Sequence, residues 1–148
     1  MNTPERALAL RRSLAIWSDV NQRVAVDLAE NYRELLARRI TNAQLTGLHN
    51  VVRAAPSFRK IKDFVDHQRD KAGRAGREEV ADYWAAVGKA LEGLRRDAEQ
   101  TWAAVPGGPA PTTPAGKQAL DEWHCRLVNE FVQHLVAHSQ SSRQSMPR

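Results

Sequence analysis

The apolar positions of the chain recur with a helical period almost from end to end. From Leu10, residues Leu14, Trp17, Val24, Leu28 and Leu35 keep spacings of three, four or seven, and Val20, Tyr32 and Leu36 widen the stripe. With Thr3-Pro4 as the opening cap, this pattern predicts one long N-terminal helix from about Pro4 to Arg38, with Asn21 and Asn31 as the places where it would break. Thr41-Asn42-Ala43-Gln44 has the form of a capping box, so a short helix follows with Leu45, Leu48 and Val52 inward, ending before Pro56. Ser57 then caps a helix whose apolar face is Phe58, Ile61, Phe64, Val65 and Gln68, loosened at its end by Gly73 and Gly76. The next stripe runs Val80, Tyr83, Trp84, Val87, Leu91, Leu94, Ala98, Trp102 and Val105. Gly88 and Gly93 interrupt it, each at about 1 kcal/mol against Ala, and are expected at close helix contacts.

The eleven residues 106–116 hold four prolines and three glycines and read as a semi-extended, exposed connector. Helical spacing returns at Leu120, Trp123, Leu127, Phe131, Leu135 and His138, and residues 140–148 read as a frayed, flexible tail. No stretch alternates with period two. The expectation is an all-α chain: a single helical domain over 1–139, a bundle of four to five helices with a long first helix.

Composition narrows the function classes. The chain has 148 residues, 42% hydrophobic and 26% charged, enough for one core without staples. A single cysteine, Cys125, excludes an internal disulfide and fits a reducing compartment. Without an apolar leader or a run long enough to span a bilayer, a cytoplasmic location without membrane contact is expected. The net charge of +5 and a pI near 9.9 favour an anionic partner.

Catalytic chemistry finds little purchase. Gly73-Arg74-Ala75-Gly76 lacks the Lys-Ser/Thr of a phosphate loop, and no paired carboxylates or nucleophile–base spacing stand out. His134 and His138 share a helical face, the geometry of a metal pair, yet Leu135 follows where a zinc peptidase has Glu. His124 and Cys125 point about 100° apart, and no second ligand cluster exists. These residues read as edges of the core, and Trp17, Trp84, Trp102 and Trp123 as core rather than base-stacking platforms. No cofactor, metal or enzymatic activity is expected.

The basic segment is more informative. Between Arg53 and Arg77 stand eight Lys or Arg against three Asp, an excess equal to that of the whole chain. Spacing pairs Arg59 with Asp63, Lys62 with Asp66 and Arg74 with Asp70, which leaves Lys60, with only the shared Asp63 at i+3, and Lys71, with no acidic neighbour at i±3 or i±4, as the unpaired cations. At 100° per residue Lys60, His67, Lys71 and Arg74 fall within about 60°, a stripe away from the apolar face that continues to Arg77. It serves equally as a solvated helix face or as a track for a phosphate backbone.

Three stretches resemble the small all-helical subunit of type III CRISPR RNA-guided effector complexes, in its III-A form. Residues Ile40-Thr-Asn-Ala-Gln-Leu-Thr-Gly-Leu48 are similar to the family's Thr-Thr-x-Gln-Ile/Leu-Arg, with Thr46 in place of Arg. Lys71-Ala-Gly-Arg-Ala-Gly-Arg77 is similar to its Lys-x-x-Ala-Tyr-x-x-Gly-Arg, with Gly73 where an aromatic is common. Phe131-Val-Gln-His-Leu-Val-Ala-His138 resembles its C-terminal Phe-Phe-Glu-Ala-Ile-Val-Ala-Tyr-His. The likeness spans about 40–138 and leaves the first helix and the connector unexplained.

The resemblance implies a non-catalytic, architectural role. Copies would stack beside the guide–target RNA duplex with the complex's other protein subunits, and Arg74 and Arg77 would lie near the duplex backbone. Charge and resemblance together make Arg53, Lys60, Lys71, Arg74 and Arg77 the candidate RNA-binding residues. The competing reading is a helical protein–protein module, adaptor or antitoxin-like, in which apolar surface on the first helix does the binding.

Overall fold

The computed structural model describes residues 2–145 and is helical throughout, with six helices among the described residues: α1 (Thr3–Asn31), α2 (Arg33–Arg38), α3 (Asn42–Ala54), α4 (Phe58–Arg74), α5 (Glu78–Ala103) and α6 (Pro114–Ser145). The count exceeds the expected four to five because the first helix is two. Tyr32 leaves helical geometry at φ −118° and ψ 23°, and its ring meets Tyr83 edge-on at 5.4 Å. The bend swings Leu35 and Leu36 into the core on a new axis. Of the two expected break points, the chain uses the one beside Asn31. Asn21 stays inside α1 and donates to the Trp17 carbonyl.

The helix ends follow local chemistry with two departures. Asn2, rather than Thr3, caps α1: its Oδ1 accepts from Glu5 N–H at 2.9 Å, and the Glu5 carboxylate reaches back to Asn2 N–H. Thr41 and Gln44 form the expected box on α3. Ser57 occupies the cap position of α4 without a capping hydrogen bond, and the Phe58 N–H turns instead to the Asp121 carboxylate of α6 at 3.4 Å. A tertiary acceptor replaces the local one. At the far end of α4, Gly76 adopts φ 73°. Its N–H bonds to Gly73 O while Arg77 N–H reaches Ala72 O, a Schellman ending that only a residue tolerant of the left-handed region makes without strain.

α6 is the spine, packing against each of the five other helices. Its Trp123, Leu127, Val128, Phe131, Val132 and Leu135 are almost wholly buried. α4 and α5 form an antiparallel pair that packs closely at Gly88, where a Cβ would stand 3.4 Å from Val65. Gly93, expected at another such contact, has open space around it. Trp17, Trp84 and Trp123 are core, and Trp102 is half-buried beneath the Arg6 guanidinium, 4.3 Å from its ring centroid.

Two expectations for α1 change. Val20 and Val24 face solvent at 71% and 53% exposure, and the inward side is Leu10, Leu14, Trp17, Ser18, Ala25 and Ala29. The small alanines let α1 lie close to its neighbours, which a valine stripe would hold further off.

The connector is shorter and less free than expected. α6 begins at Pro114, where Thr113 Oγ1 accepts from Gly116 N–H at 3.0 Å. Residues 106–111 curl beside Trp102, Val105 and Leu120 to wall a cleft of about 700 Å³. The expected frayed tail is helical through Ser145, held by Arg143, which donates to the Ile40 carbonyl at 3.0 Å. The rest of it, 146–148, lies outside the described residues. No helix among the described residues is long and apolar enough to cross a membrane.

Candidate nucleic-acid interface

α4 carries two kinds of cation. Lys62 and Arg69 are engaged: Lys62 Nζ lies 2.7 Å from Glu92 and 3.3 Å from Asp66, and Arg69 reaches Asp66 at 3.6 Å and Asp70 at 3.3 Å. The hydrogen bond to Glu92 is the main cause of a raised Lys62 pKa, which keeps that ammonium charged. Arg59, Lys60, Lys71 and Arg74 are exposed and make no ion pair with a described residue, and neither does Arg77 beyond the helix end.

Two pairs expected from spacing do not form. Asp70 turns to Arg69, which leaves Arg74 free. Arg59 and Asp63 are both exposed, where an i,i+4 pair gains too little to fix two side chains in one geometry. Of the five candidates, Lys71, Arg74 and Arg77 stand together at the C-terminal end of α4. There the helix dipole also favours cations, so the charges stabilise the helix end whatever else they meet. The Schellman turn folds Arg77 back toward them. Lys71 and Arg77 flank a shallow cleft of about 170 Å³ with Gln44, Gln68 and Val80. Lys60 stands eleven residues from Lys71, about 16 Å along the helix at 1.5 Å per residue.

Arg53 lies apart from this group. It sits at the end of α3 over a cleft shared with Glu122, Arg126 and Glu130 of α6, where two carboxylates offset the two guanidinium charges and leave no net attraction for an anionic ligand. Arg59 is the free cation that spacing hid, because its nominal partner was present in the sequence and absent in space.

The other candidate chemistries resolve into packing. His134 meets Ser18 Oγ at 2.8 Å and His138 meets Glu30 at 2.6 Å, so each ties α6 to α1. His124 donates from Nε2 to the Leu91 carbonyl, its ring lies 4.2 Å from Phe58, and burial lowers its pKa. Burial pushes the Cys125 thiol up to about 11, which suppresses the nucleophilic thiolate. Among the described residues no three His, Cys, Asp or Glu side chains gather as metal ligands. The cleft by the connector is lined by apolar side chains, Trp102, Val105, Pro106, Pro109 and Leu120 among them, together with Lys117 and with Arg95, which is committed to Glu99 and Asp121. Compared with protein-family models, curated proteins and solved structures, the chain finds no match in any of the three.

Proposed function

We propose that the chain is a non-catalytic helical subunit of a ribonucleoprotein complex that holds RNA by its backbone through Lys60, Lys71, Arg74 and Arg77. The observation that carries this reading is their exposure without ion pairs, whereas Lys62 and Arg69 of α4 are neutralised by neighbours. Arg59 adds a fifth free charge at the near end of the same helix. Contacts of this kind are electrostatic and blind to base sequence. They suit a subunit lying along a duplex whose base pairing supplies the specificity, as the resemblance to the type III CRISPR small subunit implies. Arg53 is left out of the contact set because of the carboxylates around it.

Replacing Lys60, Lys71, Arg74 and Arg77 together by Gln tests the reading. The fold is retained, since exposed charges contribute at most about 1 kcal/mol each. RNA binding at low salt weakens, and the slope of log affinity against log salt flattens by roughly three units, about 0.7–0.9 per lost phosphate contact. The loss is the same for unrelated RNA sequences. A folded variant with wild-type affinity and slope overturns the proposal and leaves the protein–protein module as the better account.

A further inference from the structure

The large hydrophobic side chains that the described residues expose, Leu8, Ile16, Val20 and Val24, all stand on α1. Ile16, Val20 and Val24 are 65%, 71% and 53% exposed and recur every four residues, so they fall within 80° of one another as one continuous strip. Nothing local explains them. β-branched residues on a solvated helix face lower helix propensity and hydrate poorly, so α1 alone gains nothing from three in a row.

The charges beside the strip identify what covers it. Asp19, Arg23 and Asp27 run along one side of it and Arg12 continues the strip's own row one turn before Ile16, all exposed, in the order plus, minus, plus, minus. This order is antisymmetric about Val20. A second α1 laid antiparallel across the strip sets Ile16 against Val24 and Val20 against its own copy. The same register brings Arg12 near the other copy's Asp27, and sets Asp19 equally far along the seam from the other copy's Arg23 and its Asp19. Packed parallel, the same flank of the two copies would lie on opposite sides of the seam, so these charges could not reach one another. Antiparallel packing also opposes the two helix dipoles. Arg23 and Asp27 already pair within one copy at 3.0 Å with both side chains largely exposed, a contact weak enough to share across an interface.

We infer that two copies of this chain associate through α1, antiparallel and about a two-fold axis at Val20, burying Ile16, Val20 and Val24. Such a pairing uses the same patch twice and closes on itself, unlike the open stacking implied by the resemblance. It involves no residue of the α4 basic face, so it stands or falls apart from RNA binding.

Sedimentation of the purified chain without RNA gives twice the 16.6 kDa of one chain as concentration rises toward about 100 µM. Val20→Asp shifts the mass to one chain with an unchanged helical circular dichroism spectrum. Arg12→Asp weakens association about tenfold, and Arg12→Asp combined with Asp27→Arg restores it. Geometry is read by cross-linking in a Cys125→Ala background: Ile16→Cys mixed with Val24→Cys yields mainly the 16–24 disulfide on mild oxidation. A chain that stays monomeric throughout, a dimer indifferent to Val20→Asp, or a preference for 16–16 and 24–24 disulfides overturns the inference.

Discussion

The indole Nε1 of Trp17 donates to the carboxylate of Asp97 across 2.9 Å, joining α1 to α5 through residues eighty positions apart. Trp17 is 7% exposed, so its N–H has little access to water if the acceptor is removed. Asp97→Ala therefore costs about 1–3 kcal/mol, the range for stranding a buried donor. Asp97→Asn, which keeps an acceptor, costs less. Urea denaturation of the two variants separates the hydrogen bond from the loss of side-chain volume.

Two glycines on neighbouring helices respond oppositely to the same substitution. Gly93 stands in the interior of α5 with open space where a Cβ would go, so Gly93→Ala stabilises by roughly 0.5–1 kcal/mol. Gly116 is buried in the first turn of α6, where the Ala110 carbonyl of the connector occupies the place of a Cβ. Gly116→Ala forces the connector away and destabilises by about 1–3 kcal/mol. Thermal melts compare the two directly, and a neutral Gly116→Ala would show that the connector does not dock.

Acid acts on the core through His124. Burial holds its folded-state pKa below the ordinary 6.5, so on acidification the unfolded chain takes up a proton before the folded one. Stability contributed by the neutral ring is complete above pH 6.5. It falls as the pH drops from there toward the folded pKa, with a slope of at most about 1.4 kcal/mol per pH unit. His124→Leu removes this slope. Melting temperature followed from pH 7 to pH 5 detects it, since in that interval wild type declines more steeply than the variant.

A separate and lower pH step belongs to Glu30. Its hydrogen bond from His138 is the main cause of a pKa below the ordinary carboxylate value of 4.5. The contact supports the α1–α6 junction above that value and is lost as the pH falls through the depressed one. Glu30→Gln should abolish this step while leaving the His124 decline near pH 6 intact, which melts between pH 5 and pH 3 would show.

The positions of α3, α4, α5 and α6 were legible from period and punctuation. Thr41 with Gln44, the two glycines after Lys71 and the proline-rich stretch after Val105 are local signals, and local chemistry acts the same way in any fold. The candidate cations were legible as residues but not as a set. Spacing offers Asp70 to Arg74, whereas in the fold it turns to its neighbour Arg69, and spacing offers Arg59 a partner that solvent outcompetes. Side-chain geometry decided these competitions between near-equal local options.

The face of α1 shows the division most clearly. Leu10, Leu14 and Trp17 had to be buried somewhere, and periodicity alone identified them. Beyond Trp17 two stripes share the same helical spacing about 140° apart: Val20 with Val24, and Ala25 with Ala29. Hydrophobicity favours the valines, whereas the fold buries the alanines. Their small side chains permit the close approach by which Ser18 reaches His134 and the rest of α1 seats against α6. Sequence determined that α1 is amphipathic. Which of its two apolar stripes meets the core depends on the distance between packed helix axes, and that distance exists only once α5 and α6 are in place.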